Sequence, residues 1–105
     1  MKKIIGRLTY NTETAEEIHS WSNSYSSSDF HSCSEALFRT GNGRYFLYGH
    51  GGPMSKYATQ CDSNSWSGGS NIIPLTDEEA LDWLVERGAE EETVLAHFPT
   101  ALSPA

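Results

Sequence analysis

With 105 residues the chain has room for one hydrophobic core, and its 37% apolar and 11% aromatic residues suffice to fill it, which excludes disorder throughout. A formal charge of -7 excludes the cationic face that DNA or RNA phosphates require, so no direct nucleic-acid binding is expected. The charge is uneven: residues 1–76 hold six acids and six bases, whereas residues 77–105 hold eight acids and a single base, Arg87. No apolar run approaches the ~20 residues of a membrane-spanning helix, and the start, Met1-Lys2-Lys3-Ile4-Ile5-Gly6, is too short of hydrophobes for a signal peptide. Cys33 and Cys61 are fewer cysteines than small secreted domains carry, so both are expected as thiols. These features predict one domain over 1–105, cytoplasmic, with 99–105 a loose tail.

In chain order, residues 3–10 read as a strand, with Gly6 as a bulge. Residues 11–22, "NTETAEEIHSWS", read as a helix: Thr14 and Glu17 fit a capping box, and Ala15, Ile18 and Trp21 fall at helical spacing. The serine-rich stretch 22–30 reads as a loop, pinned by Tyr25 and Phe30. Residues 31–40 and 44–49 read as a hairpin, because Asn42-Gly43 is a type I′ turn signal between β-prone segments. A two-residue tip there pairs Thr40 with Tyr45, Phe38 with Leu47, Leu37 with Tyr48 and Glu35 with His50. Both faces of this hairpin carry large apolar groups, which predicts a central place in the sheet. Residues 50–70 read as a long loop with one helical turn in "SKYATQC", anchored by Tyr57 and Trp66; loops of this length are often functional. "SNIIPL", residues 70–75, reads as a strand that Pro74 confines to an edge or an end. In "LTDEEALDWLVERG" Thr76 caps a helix, Glu79 closes a capping box, and Gly88 stops it, with Ala80, Leu81, Trp83 and Leu84 inward. Residues 90–98 read as a second helix with Val94, Leu95 and Phe98 inward. The sum is an α+β fold: a small antiparallel sheet of three to four strands with helices packed on one face, in the order β-α-β-β-β-α-α.

Two kinds of chemistry stand out. His31, Cys33, His50 and Cys61 supply groups able to bind zinc or to form a nucleophilic pair, with Glu35 or Asp29 to orient a histidine. On the predicted register His31, Cys33 and His50 share a face. Against this, no C-x-x-C or H-x(3–5)-H spacing is present, and Gly49-His50-Gly51-Gly52 is not followed by a phosphate-cradling helix. Neither a metal nor a cofactor is expected. Surface recognition is the stronger reading. Glu78, Asp82, Glu86, Glu90 and Glu91 offer a negative face, and His50, Tyr57 and Trp66 offer loop anchors. The same acids also suit helix N-termini and a soluble surface, so both uses stay open.

"NTETAEEIHSWSNSYSSSDF", "LFRTGNGRYFLYGHGGPMSKYA" and "IIPLTDEEALDWL" together resemble a family of small, largely uncharacterised proteins of bacterial phages, plasmids and other mobile elements, over about residues 4–98. The aromatic segment around Tyr45–Tyr48 with the following glycines is the most specific part. Relatives carry an acidic residue where this chain has His50, which counts against a histidine-dependent reaction. The resemblance implies a non-enzymatic accessory protein acting inside the bacterial host. It would bind a host protein or ribonucleoprotein complex with a basic surface, in the manner of anti-CRISPR inhibitors that block a nucleic-acid-binding surface.

Overall fold

The computed structural model describes residues 1–23, 30–62 and 65–104. Its centre is a four-stranded antiparallel sheet in the order β3-β4-β5-β8. β3 is Glu16–Ser22, β4 Cys33–Arg39, β5 Tyr45–Gly51 and β8 Gly69–Leu75. Two helices, α1 (Asp77–Glu86) and α2 (Glu91–His97), cover one face, and a two-stranded hairpin of β1 (Lys2–Ile5) and β2 (Leu8–Asn11) covers part of the other. The protein is therefore a small α+β fold. β4 and β5, the hairpin with two apolar faces, lie in the middle of the sheet, and Pro74 lies on edge strand β8, where its missing N–H costs no ladder bond.

Alternation along the central strands sorts the core into two layers. Leu37, Tyr45 and Leu47 face the helices and pack with Ala80, Trp83, Leu84 and Val94. Ala36, Phe38, Phe46 and Ile72 face the other way and pack with Tyr10 of β2. Phe38 and Phe46 stack at 5.3 Å, and Tyr10 meets Phe46 edge-on at 5.5 Å. α1 is capped as its sequence prescribes: Thr76 accepts from the Glu79 N–H at 3.1 Å and Glu79 accepts from the Thr76 N–H at 2.9 Å. Just beyond it Gly88, at φ +69°, takes the left-handed turn that a side chain would oppose.

Three expectations are corrected. Residues 3–10 are not one strand but a hairpin folded at Gly6-Arg7, where Gly6 has φ +64°. Residues 11–22 are not a helix. The Asn11 side chain accepts from the Glu13 N–H at 3.0 Å and folds 11–15 into a turn, after which Glu16–Ser22 pairs with β4. A bulge at Ile18 breaks that pairing once, so Ile18 and Trp21 both pack on the helix-side core at a spacing that imitates a helical period. Third, the β4–β5 tip is one residue longer than predicted. Thr40 accepts from Gly43, Gly43 sits at φ +81°, and the Thr40 N–H donates to Arg44 O at 2.8 Å, so the left-handed residue follows the turn instead of lying inside it. Phe38 then pairs with Phe46, Leu37 with Leu47, Glu35 with Gly49 and Ser34 with His50. A slip of one residue moves one whole strand's side chains across the sheet relative to its neighbour.

Residues 50–70 hold more structure than predicted. β5 runs to Gly51, a strap with turns at Gly52–Ser55 and Ser55–Ala58 follows, and β6 (Thr59–Asp62) pairs with β7 (Ser65–Ser67). Phe30 does not pin its loop inside, since 63% of it is exposed. Tyr25 and Asp29 lie outside the described residues.

Candidate functional site

The carboxylates of α1 and of the start of α2 line the outer side of the helical layer. Asp77, Glu78, Glu79, Asp82, Glu86, Glu90, Glu91 and Glu92 are all exposed. Glu78, Asp82 and Glu86 follow one another at four-residue spacing, so they form a single stripe along α1. Val85, 58% exposed, lies next to this stripe, and Leu102 of the C-terminal segment, 40% exposed, lies across from it. Helix-end electrostatics account for only part of the stripe. Asp77, Glu78 and Glu79 suit the positive N-terminus of α1, but Glu86 sits at the negative end, where a carboxylate is unfavourable. Among the described residues, every ion pair runs to Glu35 and none to this stripe.

Beneath the helix lies the reason the stripe is unneutralised. The Glu35 side chain has no exposure to solvent. Its Oε2 accepts from the Tyr57 hydroxyl at 2.5 Å and faces Lys56 Nζ at 2.6 Å; its Oε1 accepts from Trp83 Nε1 at 3.1 Å and from an Arg87 guanidinium nitrogen at 3.2 Å. Burial alone would raise this carboxyl's pKa, but the bonds from Lys56, Tyr57 and Trp83 outweigh it and hold the pKa below the ordinary carboxylate value. The charge falls back on its partner: burial, then the bond to Glu35, pushes the Tyr57 phenol far above its ordinary range. Arg87, the one base in the acidic segment, is thus turned inward, its guanidinium 3.7 Å from the centre of the Trp21 ring. Gly49, opposite Glu35 in the register, leaves the room that the Tyr57 ring fills; a methyl group there would overlap it. Glu35 therefore fastens β4, the 52–58 strap and the C-terminal end of α1 to one another. With both carboxylate oxygens engaged by two donors each and the side chain fully buried, this node ties the three elements together.

The expected loop anchors separate. Trp66 is 56% exposed on β7, but Tyr57 is 6% exposed with its hydroxyl committed to Glu35, so Tyr57 holds the strap to the core and is corrected from a surface contact. His50 is exposed on the sheet face opposite the helices, its ring 6.0 Å from that of Tyr48. The shared face expected for Cys33 and His50 fails with the register: Cys33 lies on the side of Glu35 and His50 on the side of Ser34. Burial, then the Glu35 charge, raises the Cys33 thiol, the opposite of an activated nucleophile. The side chain of Cys61 lies outside the described residues. Among the described residues no three His, Cys, Asp or Glu side chains gather as metal ligands, and no helix is long and apolar enough to cross a membrane.

No protein-family model, curated protein or solved structure matches this chain. Glu35, Trp83 and Arg87 were not expected as a unit. The signal available was small: Trp83 and Arg87 stand one helical turn apart on an otherwise acidic helix, and Glu35 alternates with Leu37 on a strand whose both faces are apolar.

Proposed function

We propose that the protein is a non-enzymatic binding module that docks through its acidic helical face on a basic surface of a partner protein or ribonucleoprotein complex. The observation that carries this reading is the inward turn of Arg87, which leaves Glu78, Asp82 and Glu86 exposed, with no ion pair among the described residues, beside the exposed Val85. A negative stripe with an apolar residue beside it suits a partner that offers Lys or Arg around a small hydrophobic contact. The resemblance to mobile-element proteins makes a host complex that handles nucleic acid, blocked in the anti-CRISPR manner, the first partner to try. Capture from host-cell lysate at low and at high salt tests it. Capture strong at low salt, weakened by salt, and lost when Glu78, Asp82 and Glu86 are all changed to Gln supports the reading. Capture indifferent to salt and to these substitutions rejects the electrostatic dock.

A further inference from the structure

The sheet face turned away from the helices is only half covered. The β1–β2 hairpin lies over the end that carries Phe38, Phe46 and Ile72. Past the hairpin the same face opens into a groove of about 640 Å³, a size in the range of small-molecule sites, roughly 300–1,000 Å³. Strand register sets its lining. Ser20 and Ser22 of β3 stand beside β4, where Ser34 pairs with both Ser22 and His50, and Tyr48 and His50 of β5 form the far wall. The two rings are 6.0 Å apart and tilted by 42°. The hydroxyls of Ser20, Ser22, Ser34 and Tyr48 and the His50 ring have no hydrogen-bond partner among the described residues. They gather donors and acceptors along an aromatic wall, unused by the fold.

We infer that this groove binds a neutral carbohydrate, a short oligosaccharide lying across β3, β4 and β5. A sugar ring presents C–H patches and hydroxyls in alternation. The flat faces of Tyr48 and His50 take the former, and serine hydroxyls, each both donor and acceptor, take the latter. The lining excludes other ligand classes. Among the described residues it contains no Lys or Arg; of its two acids Glu35 turns its carboxylate to the other face, and Glu17 repels phosphates and other anions. A purely apolar ligand would strip water from the serines without replacing its hydrogen bonds. An added peptide strand needs free backbone groups; those of β4 and β5 are already paired on both sides, and a strand added at the outer edge of β3 would lie beyond β4 from the Tyr48 and His50 wall. The groove lies across the sheet from the acidic helices, so this inference stands apart from the proposed dock.

The test is an array of neutral oligosaccharides of glucose, galactose, mannose and N-acetylhexosamines, probed with the full chain. Binders are then titrated into isotope-labelled protein and followed by amide chemical shifts. The expected result is a saturable response centred on Ser20, Ser22, Ser34, Tyr48 and His50. Tyr48→Ala should weaken it about tenfold, and His50→Ala, at an exposed site that folding does not need, about fivefold. Arg44→Gln, at the exposed β4–β5 tip and outside the groove lining, should leave it unchanged. No binder on the array, a response centred elsewhere, preference for an unstructured peptide control, or full affinity in His50→Ala together with Tyr48→Ala would each overturn the inference.

Discussion

Glu35 concentrates more of the fold's polar chemistry than any other described residue. A buried carboxylate with two cationic and two neutral donors is costly to break from one side, because Lys56 and Arg87 would keep their charges without a counter-charge. Glu35→Gln should therefore lower the unfolding free energy by about 3–5 kcal/mol, measured by urea titration, a large part of the ~5–15 kcal/mol total of a domain this size. The pH dependence follows from the direction of the shift. The folded state holds the carboxyl below the ordinary value of 4.5, so the unfolded chain takes up the proton first. The contribution of Glu35 is whole above that value and fades as pH falls through the folded one. The gap between wild type and Glu35→Gln should then be constant from neutral pH to about pH 5 and close below it. A gap that widens on acidification would contradict the assigned charge state. Little of this was legible beforehand: a glutamate on a strand reads as a solvent-facing position, and only the register, which sets Gly49 opposite and Tyr57 above it, turns it into a core residue.

At the scale of elements, what could be read from the chain was what is encoded locally. The α1 capping box lies within four consecutive residues, 76–79, and its sequence is sufficient to place it. Thr76→Ala should cost about 1 kcal/mol (range 0.5–2), seen as a lower thermal midpoint with an unchanged denaturant slope. The midpoint should barely move if the cap were ornamental. The β4–β5 hairpin was located by Asn42-Gly43, but its register was not, because the same dipeptide serves two tip lengths that differ by one residue. That single step puts Cys33 and His50 on opposite faces of the sheet. The 11–22 segment failed for a different reason. Ile18 and Trp21 satisfy a helical period and a bulged strand equally well, and pairing with β4, remote in sequence, settles the choice.

Over the whole molecule, charge and fold are nearly decoupled. The eight carboxylates of residues 77–105 are exposed, and the burial that holds the helices comes from Ala80, Trp83, Leu84 and Val94 beneath them. Changing Glu78, Asp82 and Glu86 to Gln should accordingly leave thermal stability equal or slightly higher, since Glu86 opposes the helix dipole and the stripe repels itself. Paired with the capture experiment, this separates a surface kept for binding from one kept for folding: loss of partner without loss of stability is the expected pattern. A clear drop in the melting temperature would place these carboxylates among the structural contacts instead.

The sheet is also a partition only one backbone thick. Ser34 and Glu35 are chain neighbours whose side chains leave β4 in opposite directions, one into the serine-lined groove and one into the carboxylate node that grips α1. The wall of the groove and the anchor of the acidic helix are thus adjacent residues of one peptide. Two surfaces that look remote from each other are therefore the two sides of a single strand.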